Sequence, residues 1–525
     1  MYRNPVIRGF HPDPSICRVG DDFYLVTSSF EYFPGLPVFH STDLVNWARI
    51  GHCLTRPDQV DLSHVPTSGG IWAPTIRHRD GVFHVVTTVM DESWFANELD
   101  ADGRVPDPGM RGRHFLVTAT DPAGPWSDPV WIDGPGLDPS LLFDDGRVLL
   151  TYADAGVVLQ CELDPSTGQH LSPTRAIWTG TNEVTSEGPH LYRVGDTYYL
   201  LVAEGGTSYG HSIAIARSSS PWGPWEDHPS NPMLSHRTAA GHPLQATGHG
   251  DLVEDADGQW WLVFLAIRSQ GWPAFHVLGR ETCLAPVRWQ DGWPFVDGPV
   301  DLEVDHARPE QLRPPPLWRD TFTSPQLDGR WNTVRGPDPG VAVTHGRLTL
   351  RPPCAGRSFV GTRQLEVDCT ARVQLLPLPE ADDDECGLTV RMNDRHHYDL
   401  GVVRVDGAPA VRLRRRIGSL VHDGPAFPVT QGPVTLEVTS TAWTYSFRFV
   451  GAGGGPDVLV GRAEAFYLST EVAGGFTGVY IGPYAAGTGG ADVDWFELRE
   501  TSGGSEPGTS PPGGHEWTAA PALPP

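Results

Sequence analysis

Five copies of one short pattern run through the first part of the chain. Each copy has a short apolar run, a turn rich in Gly or Asp, and an aromatic-rich second run: PSICRVGDDFYLVTSS, PTIRHRDGVFHVVTTV, PSLLFDDGRVLLTYAD, PHLYRVGDTYYLLVAE and GDLVEDADGQWWLVFL. Such a pattern is typical of a β-hairpin. The copies begin at residues 14, 74, 139, 189 and 250, so successive copies lie 50 to 65 residues apart. A mostly-strand repeat of this size predicts the blades of a β-propeller, and five hairpins predict five blades.

The composition agrees with an all-β protein and limits the substrate. Gly and Pro number 60 and 50 of 525 residues, about a fifth of the chain, whereas an average protein has about an eighth. The net charge of −26 argues against binding to nucleic acid or to anionic membranes, which need basic surfaces. The chain contains no lysine, which excludes a phosphate-binding P-loop lysine and a lysine Schiff base. A neutral substrate is compatible with these features.

Polar and aromatic residues recur just before the start of each copy. They are Asp13, Trp72, Asp138, Glu187 and His249. In a propeller the innermost strands line a central channel, so equivalent positions of the repeat converge near the axis. Asp13, held between two prolines, is on its own adequately explained as a stiff turn. The recurrence in five copies favours a shared functional site instead.

Three converging carboxylates in surroundings without lysine suggest glycoside hydrolysis. That reaction needs one protonated acid for the leaving oxygen and one ionised carboxylate that activates water or attacks the sugar. A third carboxylate can raise the pKa of the acid by like-charge repulsion. Trp72 can form an apolar wall for a sugar ring, and His249 can hold hydroxyls. Two alternatives stay open: His249 as a structural hydrogen-bonding group, and a Ca²⁺ site formed by the carboxylates and the histidine, although EF-hand spacing is absent.

Longer segments around the repeat carry more specific signatures. They are NPVIRGFHPDPSI, SSFEYFPGLPVFHSTDLVNW, SGGIWAPT, GLDPSLLF, SEGPHLY, EGGTSYGHSIAIARS, TGHGDLVED and LGRETCLAPV. Together they resemble the motifs of glycoside hydrolase family 43, from residue 4 to about residue 300. The resemblance implies a five-bladed propeller that hydrolyses glycosides with inversion and needs no cofactor for the chemistry.

The same resemblance implies a role for each matching residue. Asp13 resembles the general base, Glu187 the general acid, and Asp138 the residue that orients the acid and adjusts its pKa. The expected substrate-binding residues are Phe30 and Trp72 as walls of the −1 sugar pocket, His249 at the channel centre, Arg280 in LGRET on sugar hydroxyls, and Thr207 in EGGTS. Gly250 departs from the alanine that relatives often have, and we expect it to add space.

The remainder of the chain predicts a second β domain. Residues 303–318, EVDHARPEQLRPPPLW, are proline-rich and predict a linker after a propeller of residues 1–302. Alternating strands then predict a β-sandwich over 319–501, and the low-complexity residues 502–525 predict a disordered tail. The pairing resembles β-xylosidases with a C-terminal concanavalin-A-like sandwich (jelly roll). This implies a structural role, with a loop at the active-site rim; carbohydrate binding stays open. Asp320 and Asp494 are candidate ligands for a structural Ca²⁺.

The function expected from the resemblance is release of a terminal pentose from xylan-derived oligosaccharides. The enzyme would be a β-D-xylosidase, an α-L-arabinofuranosidase, or both. Other pentosidase or arabinanase specificities of the family stay open, as do a lectin-like propeller without catalysis, a purely structural propeller, and a homo-oligomer. Retaining fructosidases share the architecture but carry NDPNG and EC motifs, whereas this chain has HPDPS and SEGPH.

Cysteine usage and the start of the chain suggest a cytoplasmic protein. The seven cysteines are scattered, odd in number and without a CxxC pair, which predicts buried free thiols: Cys17, Cys53, Cys161, Cys283, Cys354, Cys369 and Cys386. The first residues, MYRNPVIRGF, lack the apolar stretch of a signal peptide. No apolar run approaches the roughly 18 residues of a membrane span.

Overall fold

The computed structural model describes residues 1–91, 112–181, 185–271, 273–312, 317–353, 356–378, 381–382, 384–430, 432–451 and 457–500. Within these ranges the regular structure is strand, apart from a 3₁₀-helix at Ala465–Leu468 and a short α-helix at Thr470–Ala473. Neither helix is long and apolar enough to cross a membrane. The predicted tail, 502–525, and Cys354 lie outside the described residues. The six other cysteines are buried and unpaired.

Five antiparallel sheets of similar size form the propeller, which confirms the predicted architecture. Successive strands pair with one another from the innermost outwards. Blade 1 contains Ser15–Val19, Asp22–Val26, Gly35–Ser41 and Ala48–Leu54; blade 2 contains Gly70–Arg79, Val82–Met90, Gly112–Ala119 and Val130–Pro135; blade 3 contains Leu137–Asp144, Arg147–Asp154, Val157–Glu162 and Arg175–Trp178; blade 4 contains Glu187–Val194, Thr197–Glu204, Ser212–Ser218, Glu226–Asp227 and Leu234–Ser235; blade 5 contains Leu244–Glu254, Trp260–Arg268, Glu281–Gln290 and Trp293–Val296.

The N-terminal segment closes the ring by attaching to the last blade. Tyr2–Arg3 pairs with Glu303–Val304, and Ile7 forms an isolated bridge with Thr282 of blade 5. Because the chain then enters blade 1, this segment joins the first and last blades. Glu303–Val304 lies at the start of the predicted linker and is therefore part of this closure.

Every blade has a left-handed residue just before its innermost strand or within that strand. It is Asp13, Ala73, Asp138, Gly188 or His249, with φ of 53°, 39°, 55°, 56° and 42°. In blades 2 to 5 the strand pairing shifts register at the same place. Trp72 and Glu187 therefore stand one residue before this position, whereas Asp13, Asp138 and His249 occupy it. The repeat thus presents side chains from two adjacent backbone positions, a distinction that the sequence comparison did not make.

A buried polar cluster ties the innermost strands together below the site. The Asp251 side chain of blade 5 is fully buried and pairs with Arg77 of blade 2 at 2.8 Å. It also accepts hydrogen bonds from the Ser15 hydroxyl at 2.7 Å, the Ile16 amide at 3.0 Å and the Tyr192 hydroxyl. Because these partners come from blades 1, 2 and 4, one carboxylate joins four blades.

The C-terminal domain is a sandwich of two antiparallel sheets, as predicted. One sheet contains Leu317–Asp320, Val341–Thr344, Arg347–Leu350, Cys369–Leu378, Val434–Ser440, Thr444–Val450, Val458–Glu464 and Gly490–Glu500; the other contains Arg357–Phe359, Thr362–Arg363, Glu385–Asn393, His396–Val405, Ala408–Ile417, Leu420–Pro428 and Tyr480–Ala486. Their facing apolar side chains form one continuous core. The first sandwich strand begins at Leu317, inside the segment predicted as linker.

The two domains share a packed interface. Tyr32–Phe33 of the propeller pairs with Thr333–Val334 of the C-terminal domain. The rings of Tyr32 and Tyr480 stack with centroids 3.8 Å apart and an interplanar angle of 14°. Arg8 pairs with both Glu366 and Glu500 at 2.7 Å. The sandwich is therefore fixed against the face of the propeller that carries Phe10 and Phe30.

Candidate active site

Asp13 is a buried carboxylate held by two strong donors. The Ser28 hydroxyl donates to its Oδ2 at 2.6 Å, and the Arg280 guanidinium donates to its Oδ1 at 2.9 Å. Burial alone would raise the pKa of Asp13, but Arg280, His249 and the Ser28 hydroxyl outweigh it and lower that pKa. Asp13 is therefore ionised at neutral pH, as a general base must be.

The surroundings of Glu187, unlike those of Asp13, favour the protonated carboxyl. Its side chain is 25% exposed. Burial of the carboxyl and the negative charge of Asp13 raise the pKa of Glu187 to about 7, against a smaller opposing effect of Arg280. Burial and the charges of Glu187 and Asp13 also raise the pKa of Asp138. The Gly188 amide donates to Asp138 Oδ2 at 2.9 Å, which links Asp138 directly to the backbone of the acid. With a pKa of about 7, a large fraction of Glu187 carries a proton near neutral pH and can donate it.

His249 lies between the carboxylates. Its Nδ1 is 3.8 Å from Asp13 Oδ1 and 4.0 Å from Asp138 Oδ2. Burial and the Arg280 charge outweigh the attraction of Asp13 and lower the pKa of His249, so that the ring is neutral. A Cβ on Gly188 would lie 3.0 to 3.2 Å from three ring atoms of His249. Any larger residue at this left-handed position would press on the imidazole, which favours glycine here.

Aromatic rings and one arginine form the wall of the pocket. Phe30 and Trp72 have centroids 5.6 Å apart. Phe476, from the sandwich, meets the Trp72 ring edge-on at 5.3 Å. The Arg280 guanidinium lies 5.5 Å from the Phe30 centroid and 5.4 Å from that of Phe476, and donates to Thr207 Oγ1 at 3.1 Å. Sugar rings present apolar faces and hydroxyl edges, and this wall offers a partner for each.

The structure brings all eight predicted site residues of the propeller into this one cluster. Asp320 and Asp494 lie elsewhere, in the sandwich. Asp320 accepts from the Trp331 indole at 2.8 Å, and Asp494 pairs with Arg347 at 2.7 Å. No group of three or more His, Cys, Asp or Glu side chains in the described ranges is arranged so that it could hold a metal ion, so nothing there supports the Ca²⁺ site.

The expectation for Gly250 is wrong. A Cβ at this position would lie 2.8 Å from Cδ1 of Ile213 and 2.8 Å from Cδ1 of Leu262. The space of the missing methyl group is therefore filled by neighbouring core side chains and adds nothing to the channel.

Three further residues contribute to the site. Ser28 holds Asp13 and also accepts from the Ala73 amide at 2.6 Å. His211 Nε2 lies 3.9 Å from Glu187 Oε1. Phe476 is attached to the propeller by its amide, which donates to Ser68 Oγ at 3.0 Å. Ser28 and His211 lie inside the sequence segments that resemble the family, but not at the position just before each copy of the repeat. No sequence pattern around Phe476 predicts its role, because it reaches the pocket from the other domain.

Family comparison agrees with this geometry. The family described as glycosyl hydrolases family 43 matches residues 2–294. The chain belongs to glycoside hydrolase family 43. This is an inverting family, and its enzymes generally need no cofactor for catalysis. The domain described as the beta xylosidase C-terminal concanavalin A-like domain matches residues 319–499 of this family 43 enzyme.

Curated relatives are similar over nearly the whole length. The enzyme is 42% identical over 522 residues to a non-reducing end alpha-L-arabinofuranosidase of Bacteroides ovatus, covering 95% of this chain and 94% of that protein. It is 36% identical over 544 residues to a xylosidase/arabinosidase of Butyrivibrio fibrisolvens, covering 95% and 99%.

Solved structures have the same two-domain architecture. A structure titled as GH43B of a Bacteroides ovatus xyloglucan locus superposes with a TM-score of 0.86 at 42% identity, covering 95% of this chain and 100% of that one. A xylan beta-1,4-xylosidase from Bacillus halodurans superposes with a TM-score of 0.87 at 32% identity, again covering 95% and 100%.

Proposed function

We propose that this chain is an exo-acting, inverting glycosidase that releases terminal β-D-xylose, α-L-arabinofuranose, or both, from xylan-derived oligosaccharides. The observation that carries the proposal is that one pocket holds two carboxyls whose surroundings favour different protonation states. Asp13 is held ionised by Arg280 and Ser28, whereas burial and Asp13 raise the pKa of Glu187 to about 7. An inverting glycosidase needs one group in each state.

In the proposed mechanism Asp13 is the general base. Its carboxylate takes a proton from a water molecule, which attacks the anomeric carbon from the face opposite the leaving group. Glu187 donates its proton to the glycosidic oxygen as that bond breaks. Asp138, whose Oδ2 accepts from the Gly188 amide, is assigned the role of orienting Glu187, and the family resemblance adds to it the role of adjusting the pKa of the acid. The product sugar leaves with inverted configuration.

The remaining residues are assigned to the terminal sugar. Phe30 and Trp72 would pack against its ring, and Phe476 would close the same side. Arg280, fixed by Asp13 and Thr207, and His249 would bind its hydroxyls. Because Arg280 pairs with Asp13 and would also bind sugar hydroxyls, sugar binding and the ionisation of Asp13 would affect each other.

The names of the relatives support a pentose at this subsite. One is named a non-reducing end arabinofuranosidase and another a xylosidase/arabinosidase. One related structure, GH43B of Bacteroides ovatus, is named for xyloglucan, which makes terminal arabinose on xyloglucan oligosaccharides a second candidate substrate. A cytoplasmic location and a homo-oligomeric state stay predictions.

A side-by-side assay tests the proposal. kcat/KM is measured on 4-nitrophenyl β-D-xylopyranoside and α-L-arabinofuranoside for the full chain and for Asp13→Ala, and the anomer first released is identified by proton NMR. We expect hydrolysis of at least one glycoside with inversion, lost in Asp13→Ala. Equal rates in the variant, or retention, would refute the assignment. Inactivity on both sugars, with binding of either, would favour the lectin-like alternative.

A further inference from the structure

The buried imidazole of His211 lies beside Glu187 and has no role in the mechanism above. It is 1% exposed and stands immediately before the strand Ser212–Ser218 of blade 4. Its Nε2 lies 3.9 Å from Glu187 Oε1. This nitrogen is buried and has no hydrogen-bond partner. A buried polar atom without a partner costs free energy, so its retention needs a reason.

The ring is held in one orientation from two sides. Its Nδ1 lies 3.3 Å from the Ala246 carbonyl oxygen. A Cβ on Gly248 would lie 2.2 Å from Nδ1 and 2.3 Å from Cε1, so only glycine fits against this face. The Gly of TGHG that precedes His249 therefore makes room for His211.

The tautomer follows from these contacts. A carbonyl oxygen only accepts, so Nδ1 must carry the hydrogen and donate it to Ala246. Burial lowers the pKa of His211 to about 3, with the neighbouring His249 and the Arg280 charge acting in the same direction, so the ring is neutral. Nε2 is then a bare acceptor that faces the carboxyl of Glu187.

We propose that His211 is a positioning residue that accepts a hydrogen bond from the protonated carboxyl of Glu187 and so holds the general acid in its donating form. This rests on the proposed function for the role of Glu187. The ionised carboxylate cannot donate to Nε2, so the contact favours the acid form only. The 3.9 Å separation exceeds a hydrogen bond, and rotation of the partly exposed Glu187 side chain would close it.

The other charged groups around the pair do not serve as this acceptor. Asp13 is engaged by Ser28 and Arg280, and Asp138 Oδ2 accepts from Gly188. His249 lies against both aspartates. Glu204, on the adjacent strand of blade 4, accepts from the Thr181 amide at 2.7 Å and the Ser186 hydroxyl at 3.3 Å.

The test compares three variants at this position with one control. His211→Phe and His211→Leu remove the acceptor, whereas His211→Gln retains an oxygen that can accept. His228→Leu removes another buried imidazole, which follows the strand Glu226–Asp227 of blade 4 and packs against Trp293 and Phe295 of blade 5. For each folded variant the pH profile of kcat/KM is measured on aryl glycosides with good and poor leaving groups.

We expect the basic limb of the profile to move down by about 0.5 to 1 pH unit in His211→Phe and His211→Leu, since one hydrogen bond to the acid form is lost. The rate loss should be larger on poor leaving groups, and His211→Gln should restore part of both effects. A basic limb that stays at the wild-type position in whichever apolar variant folds would overturn the proposal.

A direct titration separates this inference from the proposed function. Infrared difference spectra of the full chain, with the Glu187 carboxyl band assigned by Glu187→Gln, report the ionisation of Glu187 without turnover. A lower midpoint in His211→Phe or His211→Leu than in wild type or His228→Leu supports the positioning role even if neither pentoside is hydrolysed. An unchanged midpoint overturns it even if the enzyme is active.

Discussion

At the residue scale, the two carboxyls proposed to act in catalysis, Asp13 and Glu187, differ above all in their charged neighbours, although the Asp13 side chain is 6% exposed and that of Glu187 25%. Asp13 faces Arg280 and a serine hydroxyl, while Glu187 faces the negative charge of Asp13. The repeat made this pair predictable, because both residues stand at the entrance to an innermost strand. The sequence did not identify Ser28 and His211 as partners of these carboxyls, since their contacts depend on how blades 1, 4 and 5 meet.

The first prediction concerns the leaving group. Glu187→Ala removes the proton donor, so kcat/KM should fall by about 10²- to 10⁴-fold on alkyl or sugar leaving groups that need protonation. It should fall much less on 2,4-dinitrophenyl glycosides, whose leaving group departs without a proton. The measurement is a plot of log kcat/KM against leaving-group pKa for both enzymes. Equal losses across the series would remove Glu187 from the role of acid.

The second prediction concerns pH. In the proposed mechanism activity requires ionised Asp13 and protonated Glu187, so we expect it to decline as pH rises through about 7, the raised pKa of Glu187. Arg280 lowers the pKa of both Asp13 and Glu187. Arg280→Met should therefore move both limbs of the kcat/KM profile to higher pH, the acidic limb by about 1 unit or more. Limbs that stay in place while kcat/KM falls would restrict Arg280 to sugar binding.

At the element scale, each blade was predictable from its own sequence, but the connections between blades were not. The hairpins follow from local turn and strand patterns, and the structure confirms all five. The left-handed residue at or within each innermost strand, and the register shift beside it in blades 2 to 5, are features of the backbone. The amino-acid sequence of the repeat does not show that Trp72 and Glu187 stand one residue before the position that Asp13 and His249 occupy. Asp251 likewise appears in the sequence as one acidic residue after TGHG, and its partners on three other blades become visible only in the folded ring.

The third prediction tests that central cluster. Asp251→Asn keeps the shape of the side chain but leaves the Arg77 guanidinium without its buried counter-charge. We expect a loss of about 3 to 5 kcal/mol in the free energy of unfolding, measured by urea denaturation of the full chain. Asp145→Asn is the control, since the Asp145 side chain is 72% exposed and its pair with Arg193 should contribute less than about 1 kcal/mol. Similar losses in the two variants would show that the cluster does not join the blades energetically.

At the scale of the whole molecule, the sandwich completes a pocket that the propeller begins. The family resemblance predicted a loop at the active-site rim but not which residue it supplies. The choice of Phe476 depends on the docking of two domains through Tyr32, Tyr480 and the paired strands at 32–33 and 333–334. Such long-range contacts leave no periodic signal in the chain.

The last prediction isolates this contribution. Phe476→Ala removes an aromatic ring that meets Trp72 edge-on and lies over Arg280, while the Ser68 bond is made by the backbone amide and persists. Because the ring would contact the sugar in both ground and transition states, its loss should act mainly on KM, lowering kcat/KM by about 10-fold or more at nearly constant kcat. Tyr467→Ala is the matched control, an aromatic of the same domain that is 37% exposed. If both variants kept wild-type kcat/KM, the sandwich would serve stability alone; if Phe476→Ala alone raised KM, the terminal sugar would be bound jointly by the two domains, and neither would form the −1 pocket by itself.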